Sequence, residues 1–181
     1  MIALDEQLFL WLNNLGSPTW DAFWLFMTNK YNMIPLYLFL LGLSIWKWGW
    51  KKGLGVLLTA ILMIAFTDQV TNLFKSGVAR LRPCHDPDIA SLMRLVKARC
   101  GGQYGFFSGH ASNSFAVALF FIGLFQNQYR HMRWLLLWAA VVAYSRVYIG
   151  VHYPLDIFCG ALFGSFSGYG FQKLFKRIFK V

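Results

Sequence analysis

Apolar stretches of near-spanning length recur along this chain, and no other feature constrains its fold so strongly. A helix needs roughly 20 apolar residues to cross the ~30 Å hydrocarbon layer of a bilayer. Five stretches come close, near residues 33–50, 54–74, 108–126, 134–151 and 155–172. Backbone N–H and C=O groups in lipid must be paired within their own segment, so each stretch is expected to be helical. Residues 18–28 form a further apolar piece that is too short to span alone. It either lies in the interface or extends the first helix. The expected fold is therefore all-α, a polytopic transmembrane helix bundle of five or six spans in one domain, 1–181.

Composition agrees with a lipid environment. The chain is 57% hydrophobic and 13% charged, where a soluble domain carries about 25% charged residues. Trp46, Trp48, Trp50 and Trp134 lie near the ends of apolar runs, which suits a membrane interface. The opening MIALDEQLFLWLNN is acidic rather than basic, so no cleavable signal peptide is expected. Residues 2–12 read as an amphipathic surface helix, with Asp5 and Glu6 near its start as the helix dipole prefers.

The net charge of +10 does not point to nucleic acid, because the cations follow membrane topology. Lys47, Lys51 and Lys52 separate the first two spans, and Arg130 and Arg133 the third and fourth. Lys173, Lys176, Arg177 and Lys180 follow the fifth. No acid lies among them. Lys/Arg-rich short loops stay cytoplasmic, so the C-terminus is expected inside and the loops 75–107 and 145–155 outside. That places the chain as a multi-pass protein of a bacterial inner membrane. The outer compartment permits disulfides, and Cys84 and Cys100 in the long outer loop are expected to pair. Cys159 is expected to be packed within the last span. There, Gly160, Gly164 and Gly168 form a ridge that lets helices approach closely in lipid, with packing inside the chain favoured over dimerisation.

Three polar clusters interrupt the apolar pattern. In KSGVARLRP (75–83), Lys75 and Arg82 would share a face if the segment is helical, with Pro83 ending it. Asp68, Thr71, Asn72 and Lys75 continue that polar stripe down the preceding span. In FFSGHASNS (106–114), Ser108 suits a helix N-cap. Gly109 and His110 would then lie at the positive end of a helix, which attracts anions. In SRVYIGVHYPLD (145–156), Pro154 suits the first helical turn, placing Asp156 in that turn and His152 just before it. The carboxylate can then accept from His152 Nδ1–H and leave Nε2 free, as in orienter–base pairs. All three clusters fall at the outer face. Three cations, two imidazoles and a helix N-terminus converging there would suit a compact anion such as phosphate. No Walker loop, HExxH motif or carboxylate cluster is present, so neither metal nor cofactor is expected.

The ordered set Lys75-x6-Arg82-Pro83, Ser108-Gly109-His110 and Ser145-Arg146-x5-His152-x3-Asp156 resembles the three-part signature of the type 2 phosphatidic acid phosphatase superfamily. Phe107 stands where that signature usually has proline. The resemblance implies that His152 attacks phosphorus, Asp156 orients it, and His110 protonates the leaving oxygen. It also implies that Lys75, Arg82, Arg146, Ser108 and Gly109 hold the phosphoryl group. The expected partner is a lipid phosphate substrate in the bilayer. Undecaprenyl diphosphate leads, ahead of phosphatidylglycerol phosphate, phosphatidate and lipid A 1-phosphate. Arg94, Lys97 and Arg99 are candidates for holding its second phosphate. A lipid phosphotransferase would use the same residues, and a non-catalytic membrane protein would not need them all.

Overall fold

The computed structural model describes residues 2–125 and 129–181, so the last residue of the expected 108–126 span lies outside the described residues. Among the described residues the fold is all-helical. Helices α1 (Ile2–Asn14), α2 (Pro18–Thr28), α3 (Ile34–Val78), α4 (Gly109–Phe125), α5 (Trp134–Tyr148) and α6 (Pro154–Phe179) follow in order. Short 3-10 turns precede α3 and α5.

A straight helix as long as α3, with its 45 residues, would run about 68 Å, more than twice the hydrocarbon thickness. It is not straight. Gly49 interrupts it with φ 78°, a left-handed value that glycine adopts without a side-chain clash. The chain doubles back there, because a Cβ on Gly53 would meet both Cα and Cγ1 of Ile45. The stretches 33–50 and 54–74 thus become two arms of a hairpin. Among the described residues, Lys30–Val78 is the helical stretch long and apolar enough by composition to cross a bilayer, and α4 is a shorter apolar helix. With α5 and α6, these elements occupy the five apolar stretches.

α4 is the central post. Ala111, Ala116, Ala118, Phe120 and Phe125 on it are fully buried, and its closest neighbour is α6. The reason is the glycine ridge. A Cβ on Gly160, Gly164 or Gly168 would fall within 2.5 Å of the carbonyl oxygens of Ser108, Ser112 and Ala116 respectively. The ridge serves packing inside the chain, and it brings the start of α6 against the start of α4.

The basic segments gather at one end of the bundle. Lys47 Nζ sits 5.8 Å from the Phe125 ring centroid and 5.4 Å from that of Tyr129, while Phe179 near the end of α6 packs over Gly55. The polar clusters occupy the opposite end, under α1 and α2. On α1 the apolar residues Leu4, Leu8 and Trp11, with Leu15 just past its end, face outward, as suits a helix lying at a lipid surface. Two of its polar residues, Asp5 and Asn13, point into the protein. Asn13 is fully buried and donates to the carbonyls of Arg94, Val147 and Tyr148. Asp5, expected simply to complement a helix dipole, is likewise turned inward and paired with Arg80.

Candidate active site

The third cluster is built by the start of α6. Tyr153 is the N-cap and Pro154 opens the helix, fixing the backbone angle of its first turn. Asp156, in that turn and fully buried, folds back to accept from the Tyr153 N–H at 3.0 Å through Oδ2. The same oxygen lies 3.3 Å from His152 Nδ1. A carboxylate accepts, so Nδ1 carries the proton and Nε2 keeps its lone pair; the tautomer follows from this contact. His152 lies in the α5–α6 turn and is 2% exposed. Burial, then the nearby cations Arg146, Arg82 and Lys75, hold its imidazole well below the ordinary 6.5. It is therefore neutral at physiological pH.

The first cluster is not one helical face. α3 stops at Val78, with Ala79 left-handed (φ 52°) as its cap. Arg82 lies beyond it on extended backbone. Leu81 and Tyr104 form an antiparallel bridge there, Arg82 N–H donates to Gln103 O at 3.1 Å, and Gly105 N–H to Arg80 O at 2.8 Å. Arg82 is nevertheless aimed at the site by two carbonyls. Its Nε donates to Tyr104 O and its Nη1 to Cys100 O, each at 3.2 Å. Cys84 and Cys100 are paired as a disulfide with Cα atoms 6.2 Å apart. The sulfurs beside His85 are thus joined to each other, so this trio is not a free ligand set.

The second cluster begins α4. Ser108 Oγ accepts from Ala111 N–H at 3.4 Å, a capping bond, and Ser108 N–H donates to Asp156 O at 3.0 Å. The N–H groups that follow, on Gly109 and His110, head the helix and have no partner within it. Phe107, where the superfamily signature has proline, is buried against Phe74 and Phe163.

These pieces face one cavity of about 1040 Å³. Lys75, Arg82, Gly109, His110, Arg146 and His152 line its polar end. Asp156 stands behind His152, and Ser108 lies beneath the helix start, off the cavity wall. The rest of the cavity runs between the arms of α3 and the α4–α5 face, lined by Tyr37, Leu41, Val56, Ile61, Ile64 and Trp138. Its shape matches a charged headgroup at one end and hydrocarbon at the other.

Charge balance shows what the polar end suits. Among the described residues, Lys75, Arg82 and Arg146 make no salt bridge. Arg146 is 5% exposed; one arm donates to Thr28 Oγ1 and its Nε has no partner. A buried guanidinium with an open donor is costly unless an anion completes it.

Several participants were not expected. Arg80 donates to Asp156 Oδ1 at 3.0 Å. Thr28, at the end of α2, carries Arg146. Lys30 lines the cavity. Gly105 sits so near that a Cβ there would lie 3.1 Å from Asp156 Oδ2 and 3.2 Å from Arg82 Cγ. The candidates for a second phosphate are corrected. Arg94 is committed to Asp21 and the Tyr148 ring, and neither it, Lys97 nor Arg99 lines the cavity.

Buried, unpaired cations around an oriented imidazole, at the end of an all-helical bundle, are the arrangement a membrane phosphatase requires. Residues 56–180 match the family model of the PAP2 superfamily, and the chain belongs to that superfamily as a membrane-bound lipid phosphatase, a phosphoric ester hydrolase. Among characterised relatives, it is 39% identical over 177 residues to a lipid A 4′-phosphatase of Bacteroides thetaiotaomicron, covering 97% of this chain and 78% of that one. It is 33% identical to a lipid A 4′-phosphatase of Porphyromonas gingivalis (97% and 74% covered). An undecaprenyl-diphosphatase of Sulfolobus acidocaldarius matches at 28% (93% and 77%). Among solved structures, Aquifex aeolicus LpxE superposes with TM-score 0.70 at 27% identity, covering 92% of this chain and 93% of that one. A transmembrane PAP2-type phosphatidylglycerolphosphate phosphatase from Bacillus subtilis superposes with TM-score 0.73 at 19% identity (97% and 86%), a likeness of fold.

Proposed function

We propose that this protein removes the 4′-phosphate of a lipid A-type glycolipid by way of a phosphohistidine. The observation that carries the substrate is the pair of lipid A 4′-phosphatase relatives at 39% and 33% identity, each aligned over 97% of the chain. It displaces undecaprenyl diphosphate, which rests on one relative at 28% and on loop cations that do not line the cavity.

The cavity wall supports the same choice. Beside His110, Thr67 Oγ1 donates to Asn113 Oδ1 at 2.6 Å and Asn113 Nδ2 donates to Asp68 Oδ1 at 2.8 Å. Asp68, Asn72 and Asn113 all line the cavity just below the cations. A leaving group there meets an acid and two amides, which suit sugar hydroxyls. A second phosphate would meet the Asp68 carboxylate and be repelled.

In the reaction, His152 Nε2 attacks phosphorus and the bond from phosphorus to the sugar oxygen breaks. His110 donates its proton to that oxygen. Lys75, Arg82, Arg146 and the N–H groups heading α4 take up the charge on the phosphoryl oxygens, the dominant contribution in phosphoryl transfer. Water, losing a proton to His110, then breaks the P–N bond and releases phosphate. The concentration of Lys and Arg at the opposite end supports an outward-facing site on five crossings with a cytoplasmic C-terminus.

The test is phosphate release by the detergent-purified protein from lipid A, undecaprenyl diphosphate, phosphatidylglycerol phosphate and phosphatidate, with His152→Ala as control. Lipid A should be the best substrate, losing the 4′-phosphate by mass spectrometry, and His152→Ala should be inactive. Faster turnover of undecaprenyl diphosphate would overturn the assignment, and phosphate passed to a lipid acceptor would make the protein a transferase.

A further inference from the structure

The Asp156 carboxylate is held from both sides. Oδ2 faces His152 and the Tyr153 N–H, while Oδ1 accepts from Arg80 Nη1 at 3.0 Å. Arg80 is itself held: Nη2 donates to Asp5 Oδ2 at 2.7 Å, and its guanidinium stacks 4.1 Å from the centroid of the Tyr153 ring. Asp5 Oδ1 accepts from Leu155 N–H at 2.8 Å, in the first turn of α6. Tyr153 is fixed at its far end by its hydroxyl, which donates to Asp86 at 3.0 Å. One guanidinium thus bridges a carboxylate of α1 and the carboxylate behind the imidazole, and α1 also ties down the helix that carries the latter. Asp5 lies outside residues 56–180, the part that matches the superfamily.

We propose that Asp5 and Arg80 form a positioning clamp for the His152–Asp156 pair, making the N-terminal helix part of the catalytic machinery. Asp156 is fully buried, and an unpaired carboxylate there would be expensive. Arg80 neutralises it and directs Oδ2 toward His152; Asp5 fixes Arg80 against rotation. Without the Arg80 charge, Asp156 becomes more basic and holds the His152 proton more firmly. The charged and titratable groups facing the pair are Arg80, Arg82, Arg146 and Lys75, with Asp5 behind Arg80, Cys159 on α6, and His110 and Lys97 across the cavity. Removal of Arg80 takes away the cation that, among the described residues, touches Asp156 Oδ1. Outer partners that orient metal ligands contribute about 10- to 100-fold, and a group that orients a reacting imidazole from behind is expected to act on that scale.

The clamp rests on His152 being the nucleophile, and the experiment separates the two. His152→Ala, Arg80→Met, Arg80→Lys and Asp5→Asn are purified, checked for monodispersity and thermal midpoint, and assayed across pH for kcat and KM. Arg80→Met should lower kcat about 10- to 100-fold with KM changed by less than about threefold. The acid limb of its kcat/KM profile should move to higher pH. Arg80→Lys should recover part of kcat and return the limb toward wild type. Asp5→Asn keeps an oxygen for Leu155 N–H and should show a smaller loss in the same direction. If Arg80→Met does not fold, the Arg80→Lys and Asp5→Asn profiles decide by the same shift. A wild-type kcat in these variants, or loss of activity with an unmoved acid limb, overturns the clamp. An active His152→Ala overturns the nucleophile assignment instead.

Discussion

His152 Nδ1 and Asp156 Oδ2 meet at 3.3 Å across a helix boundary, the histidine just outside α6 and the aspartate in its first turn. Four residues apart inside a helix, they would simply stack on one face. Because Pro154 starts the helix between them, the carboxylate instead caps the backbone and faces back at the ring. The contact fixes the tautomer, and burial among cations keeps the imidazole neutral.

A pH dependence follows, with its sign. The protonated imidazole has no lone pair at Nε2, so activity is lost as pH falls and His152 takes up a proton. Its value lies well below 6.5, so the acid limb of kcat/KM should bend below pH 6.5. Unfolding reports the same group: under pH 6.5 the unfolded chain binds a proton that the folded one refuses. Stability is therefore fully present above that pH and falls as pH drops. A kcat/KM titration between pH 4 and 8 checks this, and an acid limb centred at or above 6.5 contradicts it.

Arg146 depends on Thr28 for one of its donors. Arg146→Lys keeps a charge but loses the planar fork and should lower kcat about 10²- to 10³-fold, as for loss of one preorganised donor. Thr28→Val keeps the shape, frees one arm of the guanidinium and should cost about tenfold or less. Steady-state kinetics on both variants check the order. Equal losses would mean that Thr28 acts on more than Arg146.

The motif residues were legible because each lies at a break in the apolar pattern, where a charge in a greasy segment stands out. Their partners were not. Arg80 sits two residues from Arg82 and reads as one more interfacial cation, and Asp5 reads as a dipole-complementing acid of an N-terminal helix. Their pairing spans 75 positions and is set by how α1 lies across the bundle, which no local spacing encodes. Thr28 is a small polar residue at the end of an apolar helix, the commonest of signals. Arg94 erred the other way: a loop cation looks free until the fold brings Asp21 to it. The end of α3 at Val78 was obscured because Lys75 and Arg82 are seven apart, a helical interval, while the cap residue is alanine rather than glycine.

Gly164 has the tightest approach in the ridge, its missing Cβ falling on Ser112 O. Gly164→Ala must push α6 from α4 and should destabilise by about 1–3 kcal/mol, as overpacking does. Gly170→Ala, on the same helix with open space around it, should be neutral or stabilise by about 0.5–1 kcal/mol. Thermal unfolding in one detergent compares them. Activity should fall with stability in the first variant only, because the ridge also sets the separation of Ser108 and Asp156. Equal midpoints for the two variants would show that the α4–α6 contact is looser than described.

Redox state should be felt at Arg82. Its Nη1 donates to the Cys100 carbonyl, and Cys100 is tethered to Cys84, two residues from Arg82 itself. The bridge closes a loop with a sequence separation of 16, for which chain-entropy arguments give about 3 kcal/mol of stabilisation. Reduction should lower the thermal midpoint and release the carbonyl that aims Arg82. kcat/KM should then fall about 3- to 30-fold, less than the 10²- to 10³-fold that removing a preorganised donor outright costs. The paired variant Cys84→Ser/Cys100→Ser should behave like reduced wild type and ignore added reductant, which separates the bridge from any effect on Cys159. Wild-type protein that keeps full activity while mass spectrometry shows both thiols reduced would mean that Tyr104 O alone holds Arg82, and that the loop serves stability without serving the site.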